Sequence, residues 1–319
     1  MSSRSANLGG ARARPRTTSV LPTTPSAAYQ RGLLQRVPAI LYTADAGEFG
    51  AWQYVSPQIE SILGFSPEEW CADPTLWAQR LHPDDRSRVL DGENRTADGQ
   101  TPTGAAEYRL RHRDGSVVWV RDDALLLLDE DGERRWHGVM SDITEQKEAE
   151  AELARRAAQQ AAVARLGEHA LEGASIADLM QEAVDAAAAL LNVEIAAVLE
   201  LLPDRDAFFV RASHGTGRGQ DTIPAGRDSQ AGYAILTGAP VTVADWECEQ
   251  RFQRSNVLRQ SGGRSGLTVV IEGRRAPFGV LGLHATSLRE FTPLDVDFAQ
   301  SLANVLGDTF ERQLTDDDI

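Results

Sequence analysis

The residues of this chain that could carry chemistry do not combine into a catalytic pattern. Cys71 and Cys248 are far apart in the sequence, and neither belongs to a zinc-ligand spacing or a disulfide framework. His169 lies in a predicted helix, but the residues after it differ from those that follow a kinase phospho-acceptor histidine. Residues 215–219 are glycine-rich, yet no helix follows them directly and they lack the lysine of a phosphate-binding loop. We therefore expect no enzymatic activity and no metal site in this chain.

Length and composition predict a two-domain protein of the cell interior. The chain has 319 residues, enough for two cores, and its 42% hydrophobic and 25% charged residues are ordinary for a globular protein. A net charge of −15 argues against nucleic-acid binding, which needs a basic surface. No apolar run approaches the ~18 residues of a membrane span, and two cysteines fit a reducing compartment. We expect a cytoplasmic protein with no nucleic-acid or membrane partner.

Residues 33–146 are expected to form the first domain, an antiparallel sheet flanked by helices. Short helices are predicted to begin at Ser56, Ser66 and His82, where a capping residue precedes or a proline follows. Two short strands come before these helices and three longer strands after them, which is an α+β pattern. The predicted strands are residues 38–43, 52–55, 104–111, 117–127 and 134–143.

The last strand of this domain passes directly into a helix. Asp142 can accept hydrogen bonds from the first helical turn, and Glu145 can reach back to the Asp142 N–H, which is a capping box. Both carboxylates also lie at the positive end of the helix dipole. Because a strand that continues into a helix transmits movement, we predict that Asp142, Thr144 and Glu145 couple the sheet to the helix.

Several motifs of this region resemble a PAS sensory domain. They are residues 63–70, 81–86, 107–110, 113–115, 119–121, 131–132 and 142–145. The resemblance implies a helix-covered sheet whose interior holds a flavin, a haem, a small acid or nothing, and it places Thr144 against the sheet.

The aromatic residues of this domain have two interpretations. In the first, Trp70, Trp77, Tyr108 and Trp119 are candidate ligand-binding residues of a pocket between sheet and helices. In the second, which we favour, large aromatic side chains simply fill the core.

Residues 164–314 are expected to form a second α+β domain. A capping-box start at Ser175 opens a helix, and Thr292 with a following proline opens the C-terminal helix. Residues 244–264 are irregular, and residues 230–236 are predicted to be helical. The predicted strands are residues 195–202, 208–213, 240–243, 266–271 and 279–284.

This arrangement resembles a GAF domain. The matching motifs are residues 238–241, 251–252, 265, 277–282 and 291–293. One departure is Val270, which stands where the family usually has proline. The resemblance implies a ligand pocket under the irregular stretch, and its candidate residues are Tyr233, Trp246, Phe252 and Arg254.

No residue has the setting that the coloured cofactors of these families need. Cys71 lacks the Asn-Cys-Arg-Phe context of flavin photoreceptors, and Cys248 is flanked by glutamates instead of the histidine found beside a bilin-binding cysteine. His82 is expected to cap a helix and not to bind haem. We expect no flavin, haem, bilin or covalent cofactor, and the identity of any ligand stays open.

Residues 147–163 are expected to be a helical linker between the two domains. Apolar or small residues at Leu153, Val163 and Ala170 lie close to heptad positions. A solvated single helix is one interpretation. A parallel homodimer is the other interpretation. It is slightly favoured because no other segment of a single chain is expected to pack against this apolar stripe.

The complete chain is therefore expected to hold two sensory domains, PAS-like and then GAF-like, joined by a long helix. Residues 1–32 are expected to be a disordered tail, and residues 315–319 a short one. The expected function is that of a cytosolic regulatory module in bacterial signal transduction, which binds a small ligand, dimerises, or does both, and so controls an output domain in the same chain or in a partner. The alternative is the sensory part of an enzyme, a cyclic di-GMP synthase or a histidine kinase, whose catalytic domain is absent from this chain.

Overall fold

The computed structural model describes residues 37–46, 50–97, 103–128, 132–215 and 223–316. These residues form two compact units, and the division falls between Glu148 and Ala149. The tail expected at residues 1–32 lies outside the described residues, as do residues 216–219 of the glycine-rich loop and residues 317–319. No helix in the described part of the chain is long and apolar enough to cross a bilayer.

The first unit contains a five-stranded antiparallel sheet, which confirms the predicted α+β class. Its strands are β1 (Ala39–Asp45), β2 (Trp52–Val55), β3 (Thr103–Arg111), β4 (Val117–Leu128) and β5 (Arg134–Asp142). Their order is β2-β1-β5-β4-β3, so the last strand of the sequence lies in the middle of the sheet. Along β4 the even-numbered residues from Val118 to Ala124 face the core, because successive side chains of a strand alternate between the two faces.

Helices cover this inner face of the first sheet. They are α1 (Gln58–Leu63), α2 (Pro67–Ala72), α3 (Leu76–Arg80) and α4 (Pro83–Ala97). Ser66 caps α2 as predicted, and together with Glu69 it forms a complete capping box. Ser56 does not cap α1 with its side chain. Its Oγ instead accepts a hydrogen bond of 3.0 Å from the Leu41 N–H, which joins the helix entry to β1.

The predicted linker is part of one helix, α5 (Thr144–Leu171). From the middle of α5 onward, Ala162 and Leu166 are buried in the core of the second unit, and Val163 and Ala170 pack against that core. The expectation that this stripe has no partner within the chain is therefore wrong for Val163 and Ala170. Leu153, nearer the start of the helix, is 66% exposed.

The second unit contains a six-stranded antiparallel sheet with the order β8-β7-β6-β11-β10-β9. Its strands are β6 (Ile195–Leu201), β7 (Ala207–His214), β8 (Ile223–Pro224), β9 (Val241–Val243), β10 (Ser265–Ile271) and β11 (Gly279–Ala285). Its helices are α6 (Ile176–Leu191), α7 (Gln230–Thr237), α8 (Asn256–Gln260) and α9 (Pro293–Asp316). Helix α9 thus continues two residues beyond the predicted domain end at residue 314.

Both central strands of the second sheet, β10 and β11, are buried along their whole length. One face of the sheet packs against α5, α6 and α9, where Leu267 and Leu283 are among the buried residues. The opposite face packs against α7 and the irregular segment before α8, where Val270 is among the buried residues. Val270 pairs with Val280 of β11 in regular register, so the departure from proline leaves the strand intact.

Candidate ligand-binding site

A cavity of about 230 Å³ lies inside the second unit, on the sheet face that packs against α7. Its floor is formed by neighbouring strands, on which Ala197, Gly282 and Thr268 lie directly side by side. The start of α7, residues of α8 and Trp246 complete the lining. The cavity therefore lies beneath the irregular segment, in the place that the sequence predicted for a ligand pocket.

Glycines on the floor keep this cavity open. A Cβ at Gly282 would lie 3.5 Å from His284 Nε2 and 3.9 Å from Thr268 Oγ1, in ordinary van der Waals contact. At Gly266 a Cβ would collide with His284 Nδ1 and lie 3.2 Å from Gln230 Oε1. The side chains of Gln230 and His284 therefore occupy the space that Gly266 leaves free.

Three polar side-chain atoms of the cavity residues are buried without a hydrogen-bond partner in the described part of the chain. They are Gln230 Oε1, Trp246 Nε1 and His284 Nδ1. Their residues are only 5%, 7% and 8% exposed, respectively. Leaving such a group unpaired costs about 1–3 kcal/mol.

The chemical roles of two of these residues are fixed by their surroundings. The Gln230 Nε2 donates to the Val241 carbonyl at 3.0 Å, so the free end of this amide is its acceptor oxygen. Burial lowers the pKa of His284 to about 4, so its ring is neutral at pH 7. Ring centroids of Trp246 and His284 lie 6.3 Å apart, so these two lining residues are neighbours.

Of the four residues predicted to bind a ligand in this domain, Trp246 lines the cavity. Phe252 and Tyr233 continue from it as a chain of ring contacts, with centroid distances of 5.7 Å and 5.3 Å. Neither of these two residues is among the described residues that line the cavity. They therefore support Trp246 from outside the cavity. Arg254 is also not part of that lining, because its Nη1 donates to the Gly263 carbonyl at 3.0 Å and holds the loop before β10.

The core of the first unit contains a carboxylate surrounded by aromatic side chains. Asp122, on the inner face of β4, accepts hydrogen bonds from the Tyr108 hydroxyl at 2.8 Å and the Tyr42 hydroxyl at 3.0 Å. Trp77 Nε1 donates to the Tyr108 hydroxyl at 3.2 Å. Burial raises the pKa of Asp122 to about 6, although the two phenol hydrogen bonds act in the opposite direction. This carboxyl group can therefore gain a proton at mildly acidic pH.

The predicted aromatic residues of the first unit fall into different environments. Trp70 is fully buried, with Trp52 and Phe65 each 5.6 Å away between ring centroids, so its ring is core packing. Trp77 and Tyr108 belong to the Asp122 cluster. Trp119 lies on the opposite face of β4, where Arg109 stands 5.3 Å from its ring centroid. The prediction that Trp119 lines an interior pocket is therefore wrong. The even-numbered residues of this part of β4 face the core, so the odd-numbered Trp119 faces outward.

The residues considered as cofactor ligands have protein partners. Cys71 is partly buried, and burial with the nearby Glu68 raises the pKa of its thiol. The His82 ring accepts a hydrogen bond of 3.4 Å from the Asp84 N–H at the start of α4. Cys248 is exposed, with its Sγ 4.0 Å from Asp245 Oδ2. Among the described residues, no group of three or more His, Cys, Asp or Glu side chains could hold a metal ion.

The junction between β5 and α5 differs in detail from the predicted capping box. Asp142 Oδ1 accepts a hydrogen bond of 2.8 Å from the Thr144 N–H, two residues on. Thr144 Oγ1 accepts one from the Trp119 N–H of β4 at 3.0 Å. Among the described residues the exposed Glu145 side chain takes no hydrogen bond from the Asp142 backbone, so the reciprocal half of the box is absent. The side-chain hydrogen bond between this junction and the sheet is therefore made by Thr144.

Sequence reasoning missed Tyr42, Asp122, Gln230 and His284. Strand periodicity could have found Asp122, because it shares the inward face of its strand with Val120. A histidine within the otherwise apolar segment of β11 was a similar signal. For Gln230 no local signal exists, since a glutamine in the first turn of a helix is ordinarily exposed.

Comparison with known families agrees with these two architectures. Residues 53–140 match the family model of the PAS fold, and residues 175–312 match that of the GAF domain. A curated relative, the methyl sulfide methyltransferase-associated sensor of Methanosarcina acetivorans, is 32% identical over 98 residues. That alignment covers 30% of this chain and 10% of the relative, so the chain spans about a tenth of that protein's length.

Solved structures of each kind of domain are also similar to parts of the chain. The N-terminal domain of a diguanylate cyclase with PAS/PAC sensor from Marinobacter aquaeolei is 33% identical, with 34% of this chain and 98% of that chain covered and a TM-score of 0.29. The GAF domain of an Acinetobacter phosphoenolpyruvate-protein phosphotransferase is 18% identical, with coverages of 50% and 98% and a TM-score of 0.43. From the two family matches, both predicted resemblances are confirmed, and this chain carries a PAS domain followed by a GAF domain.

Proposed function

We propose that this chain is a regulatory module of signal transduction whose GAF domain binds a small molecule in the cavity beneath α7. The observation that carries the proposal is the cavity of about 230 Å³ itself, whose lining includes Trp246, Thr268 and His284. Well-packed cores hold few voids of this size, and a concave pocket with an apolar lining and a few polar groups is the usual place for a small ligand. The sensor name of the Methanosarcina acetivorans relative supports a sensory role.

In this proposal the chain has no catalytic activity of its own and acts on an output domain or a partner protein. The polar residues of the cavity lining include an amide, an indole and a neutral imidazole, which suit binding better than nucleophilic attack. The output is that of cyclic di-GMP or two-component signalling, and the alternative is that this chain is the sensory part of such an enzyme. The chain works in the cytoplasm, where both free cysteines stay reduced.

The proposal includes a homodimer formed through the first part of α5. Leu153 is 66% exposed in the first part of α5, and a second copy would cover it. Sedimentation of the chain and of a Leu153→Glu variant tests this point. We expect the wild-type chain to be a dimer at a protein concentration of tens of micromolar, roughly the range in which a weak helix–helix interface still associates. The variant should shift toward monomer. A monomer in both cases would contradict dimerisation.

Ligand binding is tested by native mass spectrometry of the purified chain after incubation with a metabolite extract. We expect a retained small molecule in the wild-type chain and none in Gly282→Leu, whose side chain would fill the cavity floor. Gly167→Ala is the matched control, because a Cβ at Gly167 meets nothing within 4 Å. Retention of the same molecule by Gly282→Leu would show that it binds elsewhere.

A further inference from the structure

A hydrogen-bonded cluster inside the PAS domain joins three of its strands through one hydroxyl group. Tyr108 of β3 donates its hydroxyl proton to Asp122 Oδ2 of β4 at 2.8 Å, and Met140 Sδ of β5 lies 3.5 Å from the same hydroxyl oxygen. Trp77 Nε1 donates to this oxygen at 3.2 Å. Tyr108 and Met140 are 1% and 0% exposed. The Tyr108 proton therefore has two acceptors within reach, and they lie on neighbouring strands.

The charge of Asp122 decides between these two acceptors. An ionised carboxylate is a stronger acceptor than a thioether sulfur, so it takes the Tyr108 proton. A neutral carboxyl group donates through one oxygen while the other oxygen still accepts. Tyr42, whose hydroxyl donates to Asp122 Oδ1 at 3.0 Å, then keeps its acceptor. The protonated Oδ2 donates to the Tyr108 oxygen, and the Tyr108 proton turns to Met140. Each arrangement thus gives every donor of the cluster an acceptor.

In the described part of the PAS domain, Asp122 has no cationic partner. Its ring neighbours Tyr42, Tyr108 and Trp77 are uncharged, and burial with the nearby carboxylate raises the pKa of Tyr108, so that hydroxyl keeps its proton. Burial, with a smaller contribution from Asp123, raises the pKa of Asp122 to about 6. The proton taken up near this pH therefore belongs to Asp122.

The charged residues of the surrounding elements face away from Asp122. On β3, β4 and β5 those beside the cluster stand at odd-numbered positions, which face outward. They are Glu107, Arg109, Arg121, Asp123, Arg135 and His137. Asp45 of β1 pairs with Arg135, and Arg80 of α3 packs over a phenylalanine ring. Arg134 and Asp142 stand at the two ends of β5.

The strands of this cluster also hold the start of α5. Tyr108, Val120 and Asp142 lie side by side on β3, β4 and β5. Glu107, the residue before Tyr108, pairs with Lys147 of α5 at 2.7 Å. A change in the contacts of Tyr108 therefore acts one residue away from a point where the helix is attached to the sheet.

We propose that this cluster is a proton switch, which gives the chain a second input besides the GAF cavity. When Asp122 takes up a proton, the Tyr108 hydroxyl turns from Asp122 of β4 to Met140 of β5. The new contact shifts β3 relative to β5, and the shift reaches the first turn of α5 through Glu107 and Lys147. The signal is the pH around the protein, and the PAS domain needs no ligand to report it.

The sequence supplies reporters for both ends of this route. It contains three methionines, Met1, Met140 and Met180, and a single lysine, Lys147. The full chain is labelled with methyl-¹³C methionine and ¹⁵N lysine, and NMR spectra are recorded between pH 7.5 and pH 5. We expect the Met140 methyl signal and the Lys147 amide signal to move together, with a midpoint near pH 6. Met180, buried in the core of the GAF domain, is the internal control.

Three variants separate the switch from other titrations. Asp122→Asn imitates the neutral acid, so both signals should hold their acidic positions at pH 7.5 and lose the step. Tyr42→Phe removes one hydrogen bond that stabilises the carboxylate, so the step should remain while its midpoint rises by about one pH unit. Asp123→Asn, at the neighbouring outward-facing position, is the matched control and should keep the step.

The outcomes are distinct. A Met140 signal that does not move, or that moves equally in Asp122→Asn, overturns the switch. A Met140 step without a Lys147 step also overturns it, because the proton would then act only within the core. If Asp122→Asn fails to fold, the midpoint in Tyr42→Phe decides, and an unchanged midpoint counts against the proposal. None of these readouts requires a GAF ligand, so their failure leaves the function proposed above intact.

Discussion

Thr144 Oγ1 accepts a hydrogen bond of 3.0 Å from the Trp119 N–H, and the preceding Ile143 N–H donates to the Trp119 carbonyl at 2.9 Å. Both backbone groups of one residue in β4 are thus bonded to the start of α5. Lys147, one turn into the helix, pairs with Glu107 of β3 at 2.7 Å. The beginning of α5 is therefore fixed to two neighbouring strands of the PAS sheet, and a change in that sheet acts directly on the helix.

We predict that Thr144→Val destabilises the PAS domain by about 1–3 kcal/mol, because it leaves the Trp119 N–H without its acceptor. Asp142→Ala should cost about 1 kcal/mol through loss of the bond to the Thr144 N–H. Urea unfolding followed by tryptophan fluorescence measures both, since five of the six tryptophans lie in this domain. Glu145→Ala is the control and should change stability little. Equal losses in all three variants would show that the two hydrogen bonds are not the cause.

The junction should also carry signal. In a fusion of the chain to a reporter output, Thr144→Val and Asp142→Ala are expected to reduce the response while ligand binding to the GAF domain stays unchanged. A fusion of either variant that still responds fully would show that the domains communicate through other contacts. Ligand affinity measured on the same proteins separates lost coupling from lost binding.

We predict that Asp295→Ala destabilises the GAF domain by about 3 kcal/mol or more. This carboxylate is 3% exposed and pairs with Arg155 of α5 at 3.0 Å and with Arg289 at 3.2 Å. It also accepts from the Thr292 N–H at 3.0 Å at the start of α9. Removing this carboxylate takes a buried ion-pair partner from both arginines and the acceptor from the Thr292 N–H, and losing one partner of a buried ion pair is costly. The exposed Asp297, two residues later in α9, provides the control Asp297→Ala.

Asp122 is expected to make the PAS domain more stable at mildly acidic pH. Its folded pKa is about 6, and that of an unfolded aspartate is about 4. Between these values the folded state binds more protons, so this group's contribution to stability falls as pH rises from 4 to 6. The effect is at most about 2–3 kcal/mol. Asp122→Asn should abolish this slope and raise stability at pH 7, whereas Asp123→Asn should not.

The GAF domain is expected to respond to pH in the opposite direction because of His284. Its folded pKa of about 4 lies below the ordinary value of about 6.5. The unfolded state therefore takes up protons first, and stability is lost as pH falls from 6.5 to 4. Hydrogen exchange read separately in peptides of each domain would measure this. His284→Phe should remove the loss in GAF peptides, and an unchanged slope would mean that other groups cause it.

The fold was largely predictable from the sequence because each predicted element had its own local signal. The hairpin strands β4 and β5 follow from alternation around a turn, and α9 follows from Thr292 and Pro293. In the structure Thr292 Oγ1 indeed accepts from the Asp295 N–H at 3.2 Å. Signals of this kind depend on residues close in sequence, which is why they were sufficient.

The candidate site was less predictable because it depends on contacts between distant segments. Gln230 becomes a cavity residue only because its Nε2 reaches Val241 on the next strand. Arg254 was a candidate ligand-binding residue in the sequence, but its guanidinium donates a hydrogen bond to the Gly263 carbonyl. Aromatic type alone could not separate Trp246, which lines the cavity, from Phe252, which supports it. These distinctions depend on side-chain packing, which local patterns do not encode.

The close approach of Gln230 and His284 to Gly266 has a consequence for recognising relatives of this domain. Only a residue without a Cβ leaves room there for both polar side chains, so the three positions must vary together during evolution. A GAF domain with glutamine, glycine and histidine at the equivalents of residues 230, 266 and 284 should retain the same packing of these side chains. One with alanine at the glycine position should have lost it. That triplet is a sequence signature by which homologous chains can be sorted before any of them is purified.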